Sequence, residues 1–150
     1  MNKLGDLSCN EFLTELASAA PAPGGGGGAA MAGALAAALA SMVANLTIGK
    51  EKFADREPEV KELLKQAEAE RVRLLTLVDE DAAVFNSFMS CYKLPKTTDE
   101  EKAARTAAIR AAAKQAATVP LNIARSSFAV LKLADRLVVA GNPGVITDAA

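Results

Sequence analysis

The stretch Pro21 to Gly49, PAPGGGGGAAMAGALAAALASMVANLTIG, constrains the fold more than any other part of the chain. It carries no charged residue, although 23% of the chain is charged. It opens with Pro21, Pro23 and five consecutive glycines, Gly24 to Gly28, and continues as an Ala-rich segment. Leu35, Leu39, Met42, Val43 and Leu46 recur there at steps of three and four, the spacing of one helix face. A helix apolar on every side is ordinarily a buried one. Ala29, Gly33, Ala37 and Ser41 fall four apart and leave a face of nearly bare backbone, which allows close approach of another helix. The expectation is an all-α helical bundle with this Ala/Gly-rich helix at its centre and the other helices around it.

Other readings of the same stretch are weaker. Its length would suffice to span a bilayer, but Ala and Gly contribute little hydrophobicity, and Ser41, Asn45 and Thr47 fall in its last part. No membrane partner is expected. A secretory leader would need a basic segment before the apolar core, whereas Asp6, Glu11 and Glu15 precede this one. A nucleotide loop would need a strand before the glycines or Gly-Lys-Ser/Thr after them. Here a helical segment precedes, and Ala29-Ala30 follows. What remains is a glycine turn opening a helix, with unpaired N–H groups and the positive end of the dipole directed at whatever sits there. That is either an anion or carbonyl site with close backbone approach or a tight turn packed on a neighbouring helix.

Chemistry is narrowed further by what the chain lacks. There is no histidine, which removes the commonest proton shuttle and metal ligand. Acid–base work therefore falls to Asp, Glu, Lys, Tyr, Cys or water. The two cysteines, Cys9 and Cys91, are far apart with no CxxC spacing, as expected of free thiols in a cytoplasmic protein. No metal site is expected. A net charge of −1 gives no electrostatic case for nucleic acid binding.

The remaining helices can be placed from their caps. Ser8-Cys-Asn-Glu11 is a capping box that starts a first helix, with Phe12, Leu13, Leu16 and Ala20 on its apolar face and Pro21 as its end. Gly49 stops the Gly/Ala helix, and Lys50, Lys52 and Arg56 follow as solvated charge or as an anion patch for a carboxylate or phosphate. Pro58 suits a helix's first turn. From about 58 to 92 one long helix carries a seam: Val60, Leu64, Ala67, Arg71, Leu74, Val78, Asp81, Phe85, Phe88, Tyr92. The alternating steps of four and three are a heptad pattern, and about 34 residues at roughly 1.5 Å each span some 50 Å. Arg71 can extend outward from that seam. Asp81 is too short to do so, and a buried carboxylate must find donors or shift its pKa. Asp81 is thus a candidate acid/base or ligand-binding group, unless the seam rolls toward solvent at Asp79-Glu80-Asp81.

Thr98-x-x-Glu101 is a second capping box, for a helix to about Ala117 whose Lys102, Arg105, Arg110 and Lys114 read as solvation. Thr118-Val119-Pro120 marks a restart or a kink. The next helix ends at Gly141. Leu121, Ala124, Phe128, Leu131 and Val138 form one of its apolar sides and Ile123, Val130, Ala134 and Leu137 another, so a second core helix is expected, with Asp135 able to pair with Lys132. After the turn Gly141-Asn-Pro-Gly144, Thr147-Asp148 looks like the cap and start of a further helix.

PAPGGGGGAAMAGALAAALASMVANLTIGKEKF resembles the start of the cyclodeaminase/cyclohydrolase family of folate enzymes, whose motif runs Pro-x-Pro-Gly-Gly-Gly-Ser, an Ala/Gly helix, then Met-Val-x-x-Leu-Thr-x-Gly-Lys-x-Lys-Tyr. Gly27 stands where the family usually has Ser, and Phe53 where it often has Tyr. The similarity continues in Asp81-Ala82 with Phe85, in Leu94-Pro95-Lys96, in Pro120-Leu121, and in Gly141-Asn142 followed by Thr147-Asp148. The resemblance implies a single helical domain over 1–150 with further helix beyond the end, so that the chain is expected to be C-terminally truncated.

The resemblance also implies an enzyme of tetrahydrofolate one-carbon metabolism. A cyclodeaminase closes 5-formiminotetrahydrofolate to 5,10-methenyltetrahydrofolate and releases ammonia. A cyclohydrolase opens the methenyl bridge with water to 10-formyltetrahydrofolate. Cyclodeaminase is taken as the leading expectation, with no cofactor beyond the folate substrate. The methenyl ring is cationic and needs a nearby carboxylate, and proton transfer needs an acid and a base. The expected catalytic residues are Asp81, Asp148 and Lys50. The expected substrate contacts are Pro23, Gly24, Gly25, Gly26, Lys52 and Asn142. A homodimer is expected from the long seam and the bare helix face. The competing reading is a non-catalytic helical bundle that oligomerises through that face.

Overall fold

The computed structural model describes residues 3–148, which contain helices and turns and, among the described residues, no strand. Five α-helices follow one another: α1 (Cys9–Leu16), α2 (Gly24–Asn45), α3 (Glu57–Cys91), α4 (Asp99–Ala116) and α5 (Thr118–Ala140). Short 3-10 turns cover Leu4–Asp6, Glu51–Phe53 and Pro143–Asp148. The protein is all-α, as expected.

Both capping boxes are formed. Ser8 Oγ accepts from Glu11 N–H at 3.3 Å and Ser8 N–H reaches back to the Glu11 carboxylate at 2.9 Å. The equivalent bonds of Thr98 and Glu101 are 3.2 and 3.1 Å. Each pair satisfies two of the orphan donors at a helix start. Pro58 lies in the first turn of α3, where a missing N–H is harmless. The break before α5 falls at Ala117 and Thr118, as the sequence indicates.

The chain forms two compact units. The first comprises Met1–Gly28 and Thr76–Ile123. Its buried residues include Phe12, Pro23, Leu77, Val78, Val119 and Ile123. The Leu4 N–H donates to Asp79 Oδ1 at 2.6 Å, which ties the first 3-10 turn to α3. Here α1 ends at Leu16, short of Pro21, and only Phe12 of its expected apolar face is buried; Leu13 is 61% exposed. Three serine-and-alanine-rich residues, Ala17, Ser18 and Ala19, follow as turn, with Ser18 Oγ donating to Glu15 O at 2.8 Å and competing with the helical ladder. Beyond Val78 the seam of α3 has no fully buried position: Phe85 and Tyr92 are exposed, and Phe88 meets Tyr92 edge-on at 5.3 Å. The guanidinium of Arg105 on α4 lies over the Tyr92 ring.

The second unit comprises Ala29–Leu75 and Ala124–Ala150. Its core joins Ala40, Val43 and Ala44 of α2, Val60, Leu63 and Ala67 of α3, and Leu133, Leu137 and Ala140 of α5. The expected seam of α3 is correct at Val60, Ala67 and Leu74, while Leu63 takes the inward place assigned to Leu64. Arg71 does not simply extend outward. It pairs with Glu68 one turn back at 2.7 Å, and that partner holds the Glu68 carboxyl below its ordinary range.

The expectation for α2 is inverted in one respect. The helix is long and apolar enough to cross a membrane by length and composition, and half of that window is buried inside the protein. It buries Ala30, Ala34, Ala37, Ala40 and Ala44, whereas Leu35, Leu39, Met42 and Leu46 are 38–57% exposed. Small residues turn inward because they let the backbones approach. A Cβ on Gly33 would already stand 3.2 Å from Leu74 and 2.9 Å from the Ser127 hydroxyl. The helix is therefore a core element on one side only. In α5 the face with Ile123, Val130 and Leu137 is the buried one, and Leu121, Phe128, Leu131 and Val138 are exposed. Lys132 lies over the Phe128 ring at 4.5 Å rather than beside Asp135.

Candidate active site

In the first unit, Asp81 and the glycine turn meet. The buried ring of Pro23, reached through a cis peptide bond, precedes Gly24, whose φ of 60° is the left-handed conformation that favours glycine. The chain then enters the first turn of α2. There the Gly27 N–H, which reaches back to Pro23 O at 3.2 Å, also faces the Asp81 carboxylate as a donor. Asp81 is thus a partly buried carboxylate at the N-terminal end of a helix, where the dipole and unpaired amides favour negative charge. Burial nevertheless dominates and pushes its carboxyl above the ordinary range, with the Gly27 N–H working in the opposite sense. A group so placed is suited to exchanging a proton and to standing beside a developing cation. The seam does roll toward solvent from here on, with Glu80 exposed and Asp79 and Asp81 half-buried.

The glycines of this turn are not equivalent. A Cβ on Gly24 or Gly25 would meet nothing within 4 Å, so this edge is open to an approaching molecule. A Cβ on Gly26 would collide with the Asp81 carboxylate. Gly26 therefore faces Asp81 rather than open space. On Gly27 a Cβ would come within 3.0 Å of the Pro23 ring, so glycine relieves a crowded position where the resemblance leads one to expect Ser.

The other expected site residues lie in the second unit. Lys50 is exposed at the start of the Glu51–Phe53 turn, and exposed Lys52 lies with its ammonium 5.7 Å from the centre of the Phe53 ring. Arg56, grouped with them as a possible anion patch, donates instead to Val139 O at 2.9 Å and so satisfies a carbonyl at the end of α5. Asp148 is exposed and lies inside the Pro143–Asp148 turn, not at a helix cap; Ala149 and Ala150 lie outside the described residues.

Asn142 has a structural task. Its N–H donates to Thr47 Oγ1 at 2.9 Å, its side-chain amide reaches Leu46 O at 3.4 Å, and its Oδ1 accepts from Gly144 N–H at 3.0 Å. Thr47 was overlooked as a partner. It is 1% exposed, and its hydroxyl donates to Val43 O at 2.7 Å while accepting from Asn142. The signal was present: a Thr just past an apolar helix can bond the carbonyl four residues back.

Residues 8–150 match the model of the formiminotransferase-cyclodeaminase family. The chain is 48% identical over 145 residues to a methenyltetrahydrofolate cyclohydrolase of Methylorubrum extorquens, a similarity covering 97% of this chain and 70% of that protein. It is 36% identical over 143 residues to a formimidoyltransferase-cyclodeaminase of Rattus norvegicus, covering 95% of this chain but only 26% of the rat protein. The crystal structure of a formiminotetrahydrofolate cyclodeaminase from Thermotoga maritima superposes with a TM-score of 0.82 at 33% identity, over 96% of this chain and 68% of that one.

Proposed function

The chain belongs to the formiminotransferase-cyclodeaminase family, a family of enzymes, and on that premise we propose that it acts at the carbon bridging N5 and N10 of tetrahydrofolate. The observation that carries the reading is the placement of Asp81: a partly buried carboxylate on the glycine turn, with its carboxyl raised by burial.

Of the two reactions at that carbon, the proposal favours hydrolysis of 5,10-methenyltetrahydrofolate to 10-formyltetrahydrofolate. Its support is the 48% identity to a cyclohydrolase across 70% of that protein. Water adds to the cationic amidinium carbon, and the bond from that carbon to N5 breaks as N5 is protonated. Asp81 as carboxylate stabilises the cation and takes one proton from water; as carboxylic acid it returns that proton to the leaving N5, and the second water proton leaves to solvent as the formyl C=O forms. The open edge at Gly24 and Gly25 admits the folate. The chemistry uses neither a redox partner nor a metal. Cyclodeaminase action is the second reading, supported by the likeness to the Thermotoga maritima enzyme. It passes through the same methenyl carbon with ammonia as the leaving group. Lys50, Lys52 and Asp148 lie exposed in the second unit and carry no step of this proposal.

We also propose a homodimer, because Leu35, Leu39 and Met42 on α2, Leu46 just past its end, and Phe128, Leu131 and Val139 on α5 leave more apolar side chain exposed than scattered surface residues account for. Light scattering at micromolar concentration tests it; a monomer ends it.

The deciding assay follows methenyl absorbance and ammonia release in parallel. Loss of methenyl absorbance without ammonia supports hydrolysis. Its gain with ammonia from the formimino compound supports cyclodeamination. Full turnover by folded Asp81→Asn protein removes Asp81 from either reaction.

A further inference from the structure

We infer that Gly26 is a positioning residue: the side chain it lacks leaves a notch in the first turn of α2 that seats the Asp81 carboxylate. The inference rests on the proton-transfer reading of Asp81 and adds to it the residue that fixes where that carboxylate stands.

Five glycines in a row at a helix start are costly, since glycine gives up more backbone freedom on entering a helix than alanine does. The geometry separates them. Gly24 is required by its φ of 60°. Gly25 meets nothing, and its backbone conformation suits any residue. Gly26 has an ordinary backbone too, yet all three atoms nearest to its ideal Cβ position belong to the Asp81 carboxyl group: both oxygens and the carbon between them. None of the other glycines of this turn, nor Gly33, Gly49, Gly141 or Gly144, is confronted by an ionisable group in this way. With Gly26 bare, the carboxylate can lie against the turn and face the Gly27 N–H. A methyl group at position 26 occupies that place, and Asp81, whose short side chain has one alternative to staying, rotates away.

The test is a four-member cycle of the wild-type protein, Gly26→Ala, Asp81→Ala and the double variant, read by thermal midpoint and by steady-state methenyl hydrolysis. With Asp81 present, the added methyl is expected to lower Tm by several degrees. With Asp81 shortened to Ala, the same methyl is expected to raise Tm, because the clash is gone and Ala favours the helix. Gly25→Ala, measured for Tm only, raises it with Asp81 in place. In turnover, Gly26→Ala is expected to lower kcat about 100-fold, the scale of an ångström-sized misplacement, with KM changed much less.

The inference is overturned if Gly26→Ala shifts Tm equally in both backgrounds, or if it retains kcat while Asp81→Ala loses it. An unfolded Gly26→Ala accompanied by a folded double variant supports the notch. If neither folds, the methyl meets something other than Asp81 and the inference falls. Turnover surviving in Asp81→Ala would end the proton-transfer reading, whereas the Tm cycle would still report whether Gly26 makes room for this side chain.

Discussion

Replacing Thr47 by Val should destabilise the protein by about 2 kcal/mol, although the two side chains have the same shape and Val is more apolar. At the end of α2 the last turn tightens. Thr47 N–H bonds Ala44 O at 3.0 Å, so Val43 O is served by the Thr47 hydroxyl at 2.7 Å. The same hydroxyl accepts the Asn142 N–H at 2.9 Å. It therefore joins the end of α2 to the turn after α5, within the unit whose core those helices share. Valine removes both bonds. A protein hydrogen bond contributes about 1 kcal/mol net, and leaving a buried partner unserved costs more. The apolar gain of one methyl group offsets at most ~0.8 kcal/mol.

The control is Thr47→Ser, which keeps the hydroxyl and loses one buried methyl, at a cost of about 0.8 kcal/mol. Urea unfolding should then rank wild type above Ser above Val, with Val lowering the thermal midpoint by roughly 4–8 °C. Amide exchange of Asn142 should quicken in the Val variant and not in the Ser variant. A Val variant as stable as the Ser variant would refute the reasoning, and would free Asn142 from its structural role.

Asp81 makes stability depend on pH in a direction opposite to most carboxylates. Its folded-state pKa is raised by burial, so its contribution is fully present below the ordinary carboxylate pKa and is lost as pH rises through the folded value. Asp81→Asn should thus gain stability relative to wild type across that window and hold the gain above it, seen in urea midpoints from acid to neutral pH. Leu137→Ala removes a fully buried side chain from the core shared by α2, α3 and α5 and should cost about 2–5 kcal/mol in the same assay. Thr98→Ala should cost about 1 kcal/mol. Because α4 has no buried residue, that loss should appear as faster amide exchange in its first turn.

The elements most legible in the sequence were those fixed by local chemistry. Ser8 with Glu11, Thr98 with Glu101, Pro58, and the break at Thr118 each place a helix boundary through bonds made within a few residues, and each stands where the sequence puts it. Asp81 was legible because a short acidic side chain interrupts a heptad seam. Its partner was not, since five adjacent glycines look alike until one of them faces a carboxylate contributed by α3. Asn142 and the exposed lysines illustrate the opposite difficulty. A polar residue in a motif looks available for substrate, yet the hydrogen-bonding groups of Asn142 are taken up by Leu46, Thr47 and Gly144, contacts across about a hundred residues of chain or within its own turn.

The inversion of α2 follows from the same limit and carries a consequence of its own. Apolarity on every side says that water is avoided, but it does not say which side packs within the chain. Close packing decides that, and it sends one row of alanines inward, where Ala30, Ala37, Ala40 and Ala44 are fully buried. An alanine has little apolar surface to bury, whereas each half-exposed leucine on the other side still has a substantial part of its roughly 1.5–3 kcal/mol of transfer free energy to gain. The small side thus determines how closely α2 approaches its neighbours, and the large side holds the greater unused driving force. Substituting Leu35 and Leu39 by Gln should therefore leave the urea midpoint of a monomer nearly unchanged. If α2 is an interface between copies, the wild-type midpoint should depend on protein concentration, and the same pair of substitutions should lower it and weaken that dependence. A concentration-independent midpoint in both proteins would mean that the exposed leucines remain in water.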